Sequence, residues 1–184
     1  MEGNIYLIGF SGTGKTNTGR RVAELMGWEF FEMDDRIEQL EGQKIPDIFA
    51  AKGEPYFRKV ETQVLAETCE GASRVVSTGG GVPTIKRNRE IMQRHGVVIR
   101  LSASPETIHA RLNGSYGQRG RALRPLLGGE APVERVRELL SQRESAYATA
   151  DVSIDTEGLS HEQVAQLVIE AWEKIAPSKG FANA

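Results

Sequence analysis

The residues with the clearest chemistry stand near the start of the chain, where residues 9–16 read Gly-Phe-Ser-Gly-Thr-Gly-Lys-Thr. This is the spacing G-x-x-x-x-G-K-[ST] of a phosphate-binding loop, whose backbone N–H groups surround anionic oxygens. An apolar stretch precedes it and a helical pattern follows it, as the motif requires. We expect Lys15 to reach the outer phosphates of a nucleotide and the Thr16 hydroxyl to ligate Mg²⁺. The motif predicts nucleotide binding and leaves open what receives the phosphate.

Acidic residues after Phe30-Phe31 are candidates for acid–base chemistry. They are Glu32, Asp34 and Asp35. A carboxylate beside an alcohol can orient the hydroxyl and accept its proton during phosphoryl transfer. Aspartate at the start of a helix is also common for a local reason, because its side chain caps free backbone N–H groups. Both interpretations stay open from the sequence.

Three consecutive glycines, Gly79-Gly80-Gly81, follow a short apolar stretch at residues 75–76. Without side chains, their N–H groups can approach a ligand closely. In a parallel sheet this position lies at the carboxyl edge of the strands, where ligands bind. A plain flexible turn is the alternative, and the position at the sheet edge favours a ligand-binding loop.

Three arginines occupy informative positions. Arg58 follows Phe57, Arg124 precedes Pro125 in a glycine-rich segment, and Arg143 lies in a later helical pattern. A guanidinium group can bind a carboxylate with two hydrogen bonds or neutralise charge on phosphoryl oxygens. Most arginines are solvated surface residues, so spacing alone does not select these three.

The pattern of the whole chain predicts an α/β fold. Apolar stretches typical of buried parallel strands alternate with helical patterns, at residues 5–8, 15–26, 75–77, 97–101, 133–148, 152–154 and 160–175. We interpret residues 1–177 as one domain. We expect residues 34–71 to form a helical lobe and residues 178–184 to form a frayed tail, and we interpret the glycine-rich residues 114–129 as a lid, with a disordered loop as the alternative.

Composition excludes several classes of protein. The 184 residues carry 23 Lys plus Arg against 25 Asp plus Glu, and this net charge of −2 gives no basic excess for nucleic acid or anionic lipid. The single cysteine, Cys69, suits a reducing compartment. No apolar stretch approaches the ~20 residues of a membrane span. We therefore expect a cytoplasmic protein with neither a nucleic-acid partner nor a membrane partner.

Taken together, these motifs resemble the shikimate kinase family over about residues 4–175. The matching pieces stand in the family's order: residues 9–16, Asp34-x-x-Ile37-Glu38, Phe57-Arg58 with Glu61, Gly79-Gly80-Gly81, Arg124-Pro125-Leu126-Leu127 and Arg143-x-x-x-Tyr147. The phosphate loop alone is shared with many NTPases. Its combination with the arginine and glycine motifs is far more specific.

The resemblance implies a fold, an activity and cofactors. The fold is a three-layer P-loop fold with a five-stranded parallel sheet in the order 2-3-1-4-5. The activity is transfer of the γ-phosphoryl group of ATP to the 3-hydroxyl of shikimate, a step of chorismate and aromatic amino-acid biosynthesis, with Mg²⁺ and by a monomer. Residues implied to hold ATP are Gly12, Thr13, Gly14, Lys15, Thr16 and Asn17, with Thr16 on Mg²⁺.

The acceptor site is also carried over by motif. Asp34 corresponds to the carboxylate that contacts the accepting hydroxyl. Arg58 and Arg143 correspond to the pair that binds the shikimate carboxylate, with backbone contact from Gly80. Arg124 corresponds to the lid arginine that moves onto the phosphates. Further residues implied are Phe49 and Phe57 as apolar walls, and Arg111 with residues 155–160 as candidates near adenine.

One position departs from the family pattern, and the departure leaves alternatives open. Glu32 stands where the family often has an aspartate that holds Mg²⁺ through water. Another small-molecule kinase of this fold, such as a gluconate kinase or a nucleotide kinase, is the main alternative. The other is a binding relative without catalysis, which the complete set of Lys15, Thr16, Asp34 and the arginines disfavours.

Overall fold

A computed structural model describes residues 2–113 and 132–181 of the chain. The predicted lid, residues 114–129 with Arg124, lies outside this part. In the described part, no helix has the length and apolar character needed to cross a membrane.

Five parallel strands form one sheet in the order β2-β3-β1-β4-β5, which confirms the predicted topology. The strands are β1 Asn4–Ile8, β2 Glu29–Glu32, β3 Arg74–Ser77, β4 Gly96–Ser102 and β5 Val152–Asp155. The central strand β1 is buried along its whole length, as a continuous apolar strand in a parallel sheet requires. Its carboxyl end leads directly into the phosphate loop, residues 9–16.

Helices cover both faces of the sheet and are numbered here in chain order. They are α1 Lys15–Met26, α2 Met33–Glu41, α3 Ile45–Glu67, α4 Lys86–His95, α5 Pro105–Asn113, α6 Val133–Tyr147 and α7 His161–Ile175. One face packs around Val22 of α1 and Trp172 of α7. The opposite face packs around Ile37 of α2 and Val64 of α3. These two cores and the sheet between them make the three layers.

The helical lobe consists of α2 and α3, which pack against each other. Pro46 lies in the first turn of α3, where its missing N–H costs no hydrogen bond, so it starts the helix and does not interrupt it. The helix bends at Gly53, whose φ of 75° is left-handed, two residues before Pro55. The bend separates Phe49 from Phe57 along the helix and still lets their rings meet, with centroids 4.5 Å apart.

The expectation of a frayed tail is wrong for residues 178–181. A short 3₁₀ helix, Ala176–Lys179, continues from α7, and Phe181 packs on Trp172 with only 8% of its surface exposed. The Lys179 ammonium donates to the Gly96 carbonyl at 2.9 Å and lies 2.8 Å from a carboxylate oxygen of Asp151. An apolar anchor and an ion pair together hold this segment on the sheet. Residues 182–184 lie outside the described part.

Candidate active site

The phosphate loop closes around its own lysine. Gly14, with a φ of 92°, occupies the N-cap of α1 in a left-handed conformation that favours glycine. The buried Lys15 ammonium donates to the carbonyls of Gly9 at 2.8 Å and Phe10 at 2.9 Å. The Thr13 hydroxyl donates to the same Phe10 carbonyl at 2.8 Å. The N-terminus of α1 and the Lys15 ammonium therefore both lie at the loop. This arrangement suits the binding of anionic oxygens.

One cavity of about 890 Å³ contains nearly every residue predicted for the site. It is lined by Gly12, Thr13, Gly14, Lys15, Thr16, Asn17, Asp34, Arg58, Gly80 and Arg143, and also by Glu32, Phe49, Phe57 and Arg111. Arg124 is the predicted site residue missing from this list, because it lies outside the described part of the chain. The cavity thus joins the phosphate loop to the helical lobe in a single space.

Asp34 lies in the first turn of α2, directly after strand β2. The residue at the N-cap, Glu32, makes no side-chain capping hydrogen bond. Helix capping therefore does not explain why three acidic residues stand together here. Asp34 and its neighbour differ in their surroundings. Oδ1 of Asp34 would lie 3.2 Å from a methyl group added to Gly79, whereas the Asp35 side chain is 64% exposed and lies 3.8 Å from Arg20. The contact with the triple-glycine loop, residues 79–81, distinguishes Asp34.

Two of the three glycines in this loop lie so close to charged side chains that an added methyl group would displace those side chains. A methyl group on Gly81 would lie 2.3 Å from Nη1 of Arg58, and one on Gly79 would lie 2.8 Å from Oε1 of Glu61. A methyl group on Gly80 would meet its nearest atoms at 3.5 Å, an ordinary contact distance. The loop therefore passes close to Arg58 at Gly81 and close to the carboxylates of Glu61 and Asp34 at Gly79.

Gly81→Ala tests this close approach. The added methyl group should displace the Arg58 guanidinium, and we expect the KM for a carboxylate substrate to rise by about tenfold, the loss of one charge-assisted hydrogen bond. Gly71→Ala is the matched control, because its methyl group would press on another guanidinium, that of Arg74, at 2.8 Å. Arg74 contacts Glu29 and lies away from the cavity. Equal KM values for the two variants would contradict the interpretation.

The Arg58 guanidinium is oriented by two carboxylates on its own helix. Its Nη1 donates to Oε2 of Glu61 at 2.5 Å, and its Nη2 donates to Oε1 of Glu54 at 2.9 Å. Glu61 has only 1% of its side chain exposed, whereas Glu54 is 48% exposed. Burial raises the pKa of Glu61 to about 7, against the opposing effect of Arg58. This pair fixes the direction of Arg58 before any ligand binds.

The raised pKa of Glu61 predicts a pH dependence of stability. Its folded-state pKa of about 7 lies above the ordinary 4.5, so the native state binds this proton more tightly than the unfolded chain. The resulting stabilisation is complete below the ordinary pKa and is lost as the pH rises through the folded value. Glu61→Gln should therefore lose less Tm between pH 5 and pH 8 than the wild type does.

Glu54→Gln is the control for this measurement, because Glu54 contacts the same guanidinium from an exposed position. It should keep the wild-type pH dependence. Some dependence should also remain in Glu61→Gln, since burial raises the pKa of Glu32 to about 7 as well. An unchanged slope of Tm against pH in Glu61→Gln would contradict the assignment.

Glu32 and Thr16 meet where the phosphate loop faces strand β2. The Thr16 and Ser77 side chains lower the pKa of the Glu32 carboxyl and so oppose the rise that burial causes. Oε2 of Glu32 is buried and has no hydrogen-bond partner among the described residues. An orphaned carboxylate oxygen beside a hydroxyl is a donor set that suits a hard cation. The described residues hold no cluster of three His, Cys, Asp or Glu for a metal, so such a cation would take its other ligands from phosphates and water.

Arg143 approaches the cavity from α6. Its Nη1 lies 3.4 Å from the Gly80 carbonyl, and its guanidinium carbon lies 5.4 Å from the centre of the Phe10 ring. The ring supports the guanidinium by a cation–π contact. Because Phe10 belongs to the phosphate loop, this contact links the two halves of the cavity.

At the other end of the cavity, Arg111 ties α5 to the loop before α7. It donates to the hydroxyl and the carbonyl of Thr156, both at 3.0 Å, and lies 3.4 Å from the Gly12 carbonyl. His161 lines the same end and was not singled out from the sequence. No local pattern marks it, since it belongs to the cavity only because α7 starts beside Gly14.

The fold and the cavity together define a kinase of the P-loop class. A family model described as "Shikimate kinase" matches residues 11–173. The shikimate kinase of Thermodesulfovibrio yellowstonii is 40% identical over 176 residues, which cover 96% of this chain and 98% of the relative. The chain belongs to the shikimate kinase family.

Solved structures agree with this assignment. The shikimate kinase from Acinetobacter baumannii in complex with shikimate has a TM-score of 0.86 and 36% identity, with 95% of each chain covered. A gluconokinase from Sinorhizobium meliloti has a TM-score of 0.56 and 16% identity, with 96% of this chain and 95% of that chain covered. The second likeness shows the fold alone.

Proposed function

We propose that this chain transfers the γ-phosphoryl group of ATP to the 3-hydroxyl of shikimate. The observation that carries the proposal is the arrangement of Arg58 and Arg143 around the triple-glycine loop, with Asp34 at the end of that loop. Two guanidinium groups on different helices suit one carboxylate, and a carboxylate nearby suits one hydroxyl. A small hydroxy acid is therefore the acceptor that fits the cavity.

The acceptor is held by residues of three elements. Arg58 of α3 and Arg143 of α6 bind its carboxylate, the Gly80 backbone contacts it, and the rings of Phe49 and Phe57 form an apolar wall. Fixing both the acid and the alcohol in one orientation removes much of the entropic cost of bringing the reactants together. The orientation of Arg58 by Glu61 means that little of this binding energy is spent on ordering the arginine.

The nucleotide is held by the phosphate loop. Backbone N–H groups of residues 12–17 face its phosphates, and Lys15 exchanges its contacts with the loop carbonyls for phosphate oxygens. Thr16, with Glu32 close by, would hold Mg²⁺, which neutralises charge on the phosphates when it is bound. We place Glu32 in the role that an aspartate has in the family, because its buried oxygen lacks a protein partner among the described residues.

In the transfer, the 3-oxygen of shikimate forms a bond to the γ-phosphorus as the bond from that phosphorus to the bridging oxygen breaks. ADP leaves, and the hydroxyl proton passes to an Oδ atom of Asp34. Negative charge spreads over the phosphoryl oxygens, where Lys15 stabilises it, with Arg124 of the predicted lid as the second cation. Closure of that lid would keep water from competing for the phosphoryl group.

ADP release in a coupled assay tests the proposal. We expect ADP when ATP, Mg²⁺ and shikimate are all present, and none with gluconate or a nucleoside monophosphate in place of shikimate. Turnover with gluconate and none with shikimate would overturn it. We also propose that the enzyme acts as a monomer in the cytoplasm, where its single cysteine stays reduced, and the mass in solution by light scattering checks the first part.

A further inference from the structure

A buried tyrosine hydroxyl contacts the triple-glycine loop of the acceptor site. Tyr147 ends α6 one turn after Arg143, and its side chain is 1% exposed. Its hydroxyl donates to the Gly80 carbonyl at 2.8 Å. We propose that Tyr147 is a positioning residue, which sets the triple-glycine loop and the Arg143 guanidinium in the arrangement that binds the acceptor carboxylate.

The hydroxyl, the carbonyl and the guanidinium form one small network. The Gly80 carbonyl accepts from Tyr147 at 2.8 Å and from Nη1 of Arg143 at 3.4 Å. The positive charge of Arg143 lowers the pKa of Tyr147, although burial still raises that pKa above its ordinary value. Tyr147 is therefore a neutral donor to the loop, and it shares the Gly80 carbonyl with the arginine. Its contact with Gly80 is the shorter of the two.

The direction of the Gly80 carbonyl determines the path of the whole loop. A peptide group is planar, so a fixed Gly80 carbonyl also fixes the Gly81 N–H. The neighbouring glycines lie close to charged side chains. Gly81 lies beside Arg58, and Gly79 lies beside Glu61 and Asp34. A rotation of this one peptide would shift the backbone beside all three charged side chains.

The ring of Tyr147 is held independently of its hydroxyl. It packs in the core under α2 and α3, and the Arg100 guanidinium carbon lies 5.3 Å from its centre. Arg100 is in turn fixed by two hydrogen bonds of 2.7 Å to Glu144 of the same helix. Phenylalanine at this position would keep the ring and its packing and would lose only the hydroxyl. The network can therefore be broken without a cavity.

This inference rests on the proposed function, because it concerns the acceptor of the same reaction. The test compares Tyr147→Phe with Tyr6→Phe. Tyr6 is also fully buried, and its hydroxyl is bonded to Thr68 at 3.0 Å. Neither Tyr6 nor Thr68 lines the cavity. Both variants lose one buried tyrosine hydroxyl, so both should lose a similar amount of Tm.

The expected difference is confined to the acceptor. Tyr147→Phe should raise the KM for shikimate, and the Kd for shikimate by calorimetry, by about five- to tenfold, as loss of one buried hydrogen bond predicts. The KM for ATP should stay within about twofold of the wild type, since the phosphate loop keeps its own hydrogen bonds. Tyr6→Phe should change neither KM.

The two possible failures are distinguishable. If the wild type gives no ADP with shikimate, the proposed function is wrong. If the wild type phosphorylates shikimate and Tyr147→Phe has the same shikimate KM as Tyr6→Phe, the positioning role is wrong and the function stands. A rise in the KM for ATP as large as that for shikimate would also overturn the role, because it would show a general distortion of the cavity.

Discussion

Asp34→Asn is expected to lower kcat by about a hundredfold or more, the contribution of a positioned general base. The amide keeps the size of the side chain and its place in the first turn of α2, but it cannot take the proton of the accepting hydroxyl. Binding of ATP should persist, since the backbone N–H groups of residues 12–17 are the proposed contacts for its phosphates. Initial rates at saturating substrates, with calorimetry for ATP, measure both quantities.

Asp35→Asn is the matched control for this variant. Asp35 is the next residue, has the same side chain, and is 64% exposed beside Arg20. Asp35 also lines the cavity, but its exposed carboxylate lies beside Arg20, so its loss should leave kcat within about twofold. The assignment of Asp34 as the base would be contradicted by unchanged turnover in Asp34→Asn, or by equal losses in both variants.

Arg143→Met should raise the KM for shikimate by about 10- to 100-fold, the range for a charge-assisted hydrogen bond to a carboxylate. Methionine keeps much of the apolar contact with Phe10 and loses the charge and the N–H groups. The KM for ATP should change little, since the phosphate loop keeps its own hydrogen bonds and the apolar contact with Phe10 is largely retained. Steady-state kinetics with each substrate varied in turn measures this split.

Arg135→Met on the same helix controls for loss of an arginine from α6. Arg135 is 41% exposed and pairs with Glu138 on the surface. Removing it should leave both KM values unchanged, because exposed ion pairs contribute little. A shikimate KM in Arg143→Met no higher than in Arg135→Met would remove Arg143 from the acceptor site.

Much of the nucleotide half of the cavity is predictable from the sequence, because the required residues are consecutive. Strand β1, the phosphate loop and α1 follow one another within residues 4–26, so a local motif specifies both the chemistry and its position. Strand β2, Glu29–Glu32, is less evident, since it is short and only partly buried. Strand β2 is therefore predicted by the family resemblance, which implies five strands, and not by a long apolar pattern.

The acceptor half depends on contacts between residues far apart in the chain. Glu61 belongs to a recognisable motif, yet its raised pKa follows from burial against Asp34 and the loop at residues 79–81. The hydroxyl of Tyr147 meets a carbonyl 67 residues earlier in the chain. No spacing rule indicates such a contact. The prediction of a frayed tail is wrong because Phe181 packs on Trp172 of the preceding helix, and the composition of residues 178–184 gives no sign of that contact.

The most direct test of the account is a crystal structure of the chain with shikimate and ADP. The account predicts the shikimate carboxylate between the guanidinium groups of Arg58 and Arg143, and its 3-hydroxyl within hydrogen-bond distance of Asp34. A carboxylate bound away from both arginines, or a 3-hydroxyl directed away from Asp34 and the phosphate loop, would contradict it.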